Sequence, residues 1–136
     1  ASRHQHKLCM AVVDVDFFKS INDRFGHLAG DKALKVIARA MSRALRETDF
    51  IARYGGEEFV VLLPGVDDES MLLPLEKLRQ VVRAIPFRFK EDKVEITVSI
   101  GATLVRTGES ATDAFERADR ALYDAKHGGR DRIVAV

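Results

Sequence analysis

The chain has 136 residues, 46% of them hydrophobic and 32% charged, enough for one hydrophobic core and too few for two. Its 22 Lys and Arg nearly cancel its 21 Asp and Glu, and the formal net charge of +1 excludes the strongly basic face of an electrostatic nucleic-acid binder. The single cysteine, Cys9, excludes a disulfide framework and a cysteine-based zinc site, and no apolar run approaches the ~18 residues that span a bilayer, so a cytoplasmic domain without membrane contact is expected.

Leu8 to Val15 (LCMAVVDV) is a continuous apolar run with almost no alternation, the pattern of a central strand covered on both faces, and Asp14 and Asp16 mark its end. From Gly30 the period changes. Leu34, Ile37, Ala38, Met41 and Leu45 form one helical stripe, with Asp31 expected in the first turn, where the helix dipole favours a carboxylate. Phe50 to Tyr54 and Glu58 to Leu63 are strand-like runs joined by Gly55-Gly56, the composition of a tight hairpin, and Pro64-Gly65 stops the second. Met71, Leu75, Leu78, Val82 and Ile85 predict a second helix behind the candidate caps Asp68 and Ser70. Phe87 to Phe89 and Val94 to Gly101 read as strands around the charged turn Lys90 to Lys93. Ala111 to Lys126 predicts a third long helix stopped at Gly128, and Ile133 to Val136 a last strand at the sheet or its edge.

The order β-α-β-β-α-β is the split βαβ arrangement, an α+β fold in which the first strand ends at the same edge as the hairpin tip. Asp14 and Asp16 are therefore expected to meet Glu57 and Glu58. One acid at a strand end ordinarily does no more than solvate it. Four acids converging there repel unless a divalent cation neutralises them, and oxygen donors without His or Cys suit Mg²⁺ or Mn²⁺ better than zinc.

Between Asp14 and Asp31 the sequence DVDFFKSINDRFGHLAGD packs Lys19, Asn22, Asp23, His27 and Asp31 among Phe17, Phe18, Ile21 and Phe25. An Asn and an Asp together offer the donor and acceptor edge that a guanine needs. Lys126 and Arg130 flank Gly128-Gly129, cations placed to suit a triphosphate, although such residues at a helix end also serve simply as dipole partners. His4 and His6, without an acidic or Cys partner near them, read as solvated.

DFFKSINDRFGHLAGD followed by RYGGEEF at Arg53 to Phe59 resembles the GGDEF family, the diguanylate cyclases, in its GGEEF variant, and the likeness runs from Leu8 to about Arg132. The resemblance implies a ferredoxin-like βαββαβ core similar to that of class III nucleotidyl cyclases and the polymerase palm, with a mostly antiparallel central sheet flanked by helices. It implies that Asp14, Glu57 and the backbone carbonyl of Val15 hold Mg²⁺ or Mn²⁺, and that Glu57 or Glu58 helps deprotonate an attacking 3′-hydroxyl. Asn22 and Asp31 match the guanine-reading positions, and His27 is expected to line the same pocket. The amides of Phe17 and Phe18, with Lys19, Lys126 and Arg130, would hold phosphates.

The implied reaction condenses two GTP into cyclic di-GMP and two pyrophosphates, and because one domain holds one GTP it needs a homodimer. Arg46-Glu47-Thr48-Asp49 matches the family's RxxD inhibitory site for the product, with Lys77 or Arg79 as a further basic residue. A receptor that binds GTP or cyclic di-GMP without catalysis is the alternative reading, and a generic interaction domain a more distant one. The family's DxLTGLxNR segment and the helix before the first strand are not in the sequence. Ala1 to Lys7 is expected to be the end of that helix, and the chain part of a longer multidomain protein.

Overall fold

Strand β1 (Leu8–Val15) is buried from Cys9 to its end, as its unbroken apolar run requires, and forms the middle of a five-stranded sheet. The structure is a computed structural model describing residues 7–136; His4, His6 and all but the last residue of the expected helix end at Ala1 to Lys7 lie outside the described residues. Antiparallel neighbours β3 (Glu58–Pro64) and β6 (Val98–Leu104) flank β1, and β2 (Phe50–Gly55) pairs with β3 at one edge. At the other edge β7 (Ile133–Ala135) runs parallel to β6, so the last strand is an edge strand. The order β2-β3-β1-β6 is that of a ferredoxin-like core, with β7 added.

Alternation along β1 divides the molecule. Cys9, Ala11, Val13 and Val15 join the main core with Leu34, Ile37 and Met41 of helix α2 (His27–Ala44) and Leu75, Leu78 and Val82 of helix α3 (Leu72–Arg83). Each such Leu, Ile or Val contributes about 1.5–3 kcal/mol on burial. Burial among these side chains also pushes the Cys9 thiol up to about 12, so it remains a protonated, unreactive hydrophobe near neutral pH.

On the opposite face Val12 packs with Ala118 and Leu122 of helix α4 (Ala111–His127). A Cβ at Gly101 of β6 would run into the backbone of Ala118 and Leu122, so α4 lies directly on the sheet. That close approach explains the stripe of small residues Ala114, Ala118, Ala121 and Ala125, all buried. It also carries the end of α4 toward the end of β1.

Four local expectations are corrected. The segment after β1 is helical: α1 (Phe18–Phe25) buries Phe18 and Ile21, and α2 begins at His27, so Asp31 lies beyond the first turn instead of within it. The run Val94 to Gly101 is broken: β4 (Phe87–Phe89) and β5 (Asp92–Val94) form a separate hairpin, and β6 starts at Val98. Neither Asp68 nor Ser70 caps α3, which starts after Met71 without a side-chain cap; Ser70 instead closes a turn on Asp67, its amide donating to Oδ1 at 3.0 Å. The hairpin between β2 and β3 keeps Gly55 in the strand, paired with Glu58, and places Gly56-Glu57 in the two-residue loop. No described helix is long and apolar enough to cross a membrane.

Candidate functional site

Asp14 stands opposite Glu58 across the β1–β3 ladder, and residues opposed in an antiparallel pair share a face. That face is the one α4 covers, so Asp14 meets Lys126, whose Nζ lies 2.8 Å from Oδ2, while Asp14 Oδ1 is buried without a hydrogen-bond partner among the described residues. Burial outweighs the opposing pull of Lys126 and, with smaller contributions from the charges of Asp16 and Asp119, raises the Asp14 pKa above the usual aspartate value. Glu57 and Glu58 are raised by burial first and by Asp14 second. All three acids would have their charged forms favoured by an added cation.

Glu57 is held by the backbone at the hairpin tip. Its carbonyl accepts from the Val15 amide at 3.2 Å, and the Arg53 guanidinium donates to the Gly56 carbonyl at 2.7 and 3.0 Å, bracing the loop. Arg53 belongs to the RYGGEEF string but was not among the expected site residues.

Asp16 lines the same cavity as Asp14 and Glu57, but its carboxylate is engaged by other partners. The chain leaves the strand after Val15, and alternation ends with it. The Asp16 carboxylate, 3% exposed, accepts from Thr97 Oγ1 at 2.6 Å, Ser99 Oγ at 2.7 Å and the Asp131 amide at 3.0 Å. The expected convergence of four carboxylates is therefore corrected, and among the described residues no three His, Cys, Asp or Glu side chains meet at metal-ligand spacing. Asp14 and Glu57 nevertheless line one cavity with Val15, and two carboxylates with an unpartnered buried oxygen suit Mg²⁺, which keeps part of its shell for water and phosphates.

The cavity measures about 580 Å³ and opens where α1 begins. Phe17, in left-handed conformation at φ 56°, reverses the chain into α1, whose first amides have no side-chain cap. A helix N-terminus of this kind attracts anions. Lys19, Lys126 and Arg130 line the cavity with Phe17 and Phe18, and the Arg130 guanidinium lies over the Phe17 ring, 4.6 Å from its centre. Ser20, Asp23 and Arg24 also line it and were not among the expected site residues.

The remaining expected residues lie apart from the cavity lining. Asn22 is one turn along α1 from Phe18, its carboxamide oxygen buried without a hydrogen-bond partner among the described residues and pressed against Gly30 of α2. Asp31 follows Gly30 and is exposed. His27, expected in the nucleotide pocket, is exposed at the start of α2 and does not line the cavity, because α2 begins three residues earlier than the apolar stripe suggested.

Arg46 and Asp49 form an ion pair of 2.7 Å, and Arg46 Nη2 also donates to the Pro64 carbonyl at 2.7 Å. Pro64 pairs with Leu8, at the start of β1. Arg79 is not brought to this pair. Its guanidinium binds Glu76 and, at 2.7 Å, Asp131, whose amide is bonded to Asp16 beyond the opposite end of β1. Lys77 is exposed on α3.

Residues 1–132 match the family described as Diguanylate cyclase, GGDEF domain. The chain is 53% identical over 135 residues to Diguanylate cyclase DgcP of Pseudomonas aeruginosa, covering 98% of this chain and 20% of that protein. It is 39% identical over 128 residues to Diguanylate cyclase A of Treponema denticola, covering 93% and 34%. The chain thus spans between a fifth and about a third of the length of these curated relatives. Among solved structures, the GGDEF domain of DgcB from Caulobacter crescentus in complex with c-di-GMP superposes with a TM-score of 0.90 at 38% identity, covering 96% of this chain and 78% of that one. The active GGEEF domain of a diguanylate cyclase from Vibrio cholerae superposes with a TM-score of 0.88 at 34% identity, covering 99% and 86%. The chain belongs to the GGDEF-domain family of diguanylate cyclases.

Proposed function

We propose that the chain is the catalytic domain of a diguanylate cyclase, condensing two GTP into cyclic di-GMP with release of two pyrophosphates. The observation that carries this reading is the cavity in which Asp14 and Glu57 face Lys126 and Arg130 at the uncapped start of α1. Carboxylates for a divalent cation and donors for a triphosphate stand within one site. The amides of Phe17 and Phe18, with Lys19, Lys126 and Arg130, bind the phosphates, and Asn22 and Asp31 bind the base. Asp14, Glu57 and the Val15 carbonyl hold Mg²⁺ or Mn²⁺, which when bound lowers the pKa of the nucleophile and offsets charge on the α-phosphate.

Two copies must face each other, because the 3′-hydroxyl of one GTP attacks the α-phosphorus of the other. Each attack forms one P–O bond and breaks one to pyrophosphate, and Glu57 or Glu58 takes the hydroxyl proton. The product binds back at Arg46 and Asp49, with Lys77 as the basic partner, and inhibits. Support for that part is the Arg46–Asp49 pair, whose guanidinium is about half exposed and fixed in place by Asp49 and the Pro64 carbonyl.

Incubation with GTP and Mg²⁺, following pyrophosphate and cyclic dinucleotide together, tests the reading. Two pyrophosphates per cyclic di-GMP are expected. Tight binding of GTP or cyclic di-GMP without turnover, by a chain shown to be dimeric, would favour the receptor reading instead.

A further inference from the structure

Gly30 is the fourth residue of α2 and is buried, and its backbone is ordinary right-handed helix, so no turn or positive φ calls for glycine there. Glycine is, after proline, the least favourable residue in a helix. What calls for a bare Cα is space. A Cβ at Gly30 would overlap the carboxamide oxygen of Asn22 and lie 3.0 Å from both Asn22 Cγ and Phe18 Cζ. The contrast with Gly101 is informative. There an added Cβ meets the backbone of α4, which cannot yield without moving the helix, whereas at Gly30 it meets side chains, the Asn22 carboxamide first and the edge of the buried Phe18 ring second.

We infer that Gly30 is a positioning residue for base recognition: its bare Cα is the seat against which the Asn22 carboxamide is held at the depth and orientation that reading a guanine requires. The inference rests on the proposed role of Asn22 as a base reader. It follows that the buried oxygen of Asn22 faces α2 and the rest of the carboxamide is turned from it. Alanine at this position would remove the seat and leave the helix intact.

The test uses 3′-deoxy-GTP, which lacks the attacking hydroxyl and so reports binding without turnover, with 3′-deoxy-ATP as the comparison base. Affinities and thermal unfolding are measured for the wild type, Gly30→Ala, Asn22→Ala and the double variant. Gly30→Ala is expected to weaken 3′-deoxy-GTP about five- to tenfold, the size of one hydrogen bond, and to narrow its advantage over 3′-deoxy-ATP, while the variant still unfolds cooperatively above the assay temperature. Because Gly30 acts through Asn22, the double variant should bind no more weakly than Asn22→Ala alone. Unchanged affinity in Gly30→Ala, or a loss that adds in full to that of Asn22→Ala, overturns the inference. Unchanged affinity in Asn22→Ala overturns the base-reading role itself, a separate failure that removes the inference with it.

Discussion

Lys126 Nζ stands 2.8 Å from Asp14 Oδ2, the end of the last helix meeting the end of the first strand across a sequence separation that covers most of the chain. The ammonium supplies the one close positive charge for a buried aspartate whose other oxygen has no partner among the described residues. Lys126→Met should therefore lower stability by about 1–3 kcal/mol, because it strands a buried carboxylate. Added Mg²⁺ should raise the Tm of this variant more than that of the wild type, as followed by thermal unfolding with and without the cation. Equal shifts would mean that Asp14 is not where the cation binds.

Asp16 ties the end of β1 to β6 and to the loop before β7. Asp16→Asn turns one acceptor oxygen into a donor facing donors, and about 2 kcal/mol of stability should go. Since Asp131 follows Arg130, affinity for a triphosphate should fall more than affinity for guanosine. A loss of stability with an unchanged ratio of the two would limit Asp16 to a structural role.

Close contact of α4 with the sheet depends on Gly101. Gly101→Ala should destabilise by about 1–3 kcal/mol, because the added carbon meets the backbone of α4 at Ala118 and Leu122, and denaturant unfolding measures it directly. An unchanged midpoint would show that the helix can lift without cost.

Acid stability has a definite sign. Hydrogen bonds from Arg117 hold the Glu109 carboxyl down to about 2 from 4.5, and those from Arg79 hold Glu76 down to about 2. A carboxyl depressed by folding stabilises the protein above its unfolded pKa, and this contribution drains away as pH falls from about 4.5 toward about 2. In Glu109→Gln the decline of Tm across that window should be shallower, and a slope identical to the wild type would show the pair to be broken in solution.

Much of the frame was legible from pattern. Unbroken burial placed Leu8 to Val15 at the centre, and the βαββαβ order brought Asp14 level with Glu58, as the ladder shows. Helix α1 was less legible because Lys19, Asn22, Asp23 and Arg24 dominate it, although Phe18, Ile21 and Phe25 keep a helical spacing. The break before Val98 hid behind an alternation that continues through Ile96, which is buried outside any strand. The contacts of Asp16 with Thr97, Ser99 and Asp131, and of Arg79 with Asp131, could not have been placed by reading along the chain, because those partners lie far away in sequence. Arg53 bonds within three residues, so its role was present in the motif itself.

Relief of product inhibition tests the second proposed site. Arg46→Ala should leave initial turnover near that of the wild type and shift inhibition by added cyclic di-GMP to concentrations at least tenfold higher. An unchanged inhibition curve would remove Arg46 from that site.

The most direct measurement is turnover of GTP with Mg²⁺ by Glu57→Ala beside the wild type, with circular dichroism to show that both are folded. Glu57 sits in a two-residue loop and contributes no core packing, so loss of cyclic di-GMP formation by at least a thousandfold in a folded protein is the expected result. Product formation at a comparable rate would contradict the assignment of Asp14 and Glu57 as the centre of the reaction.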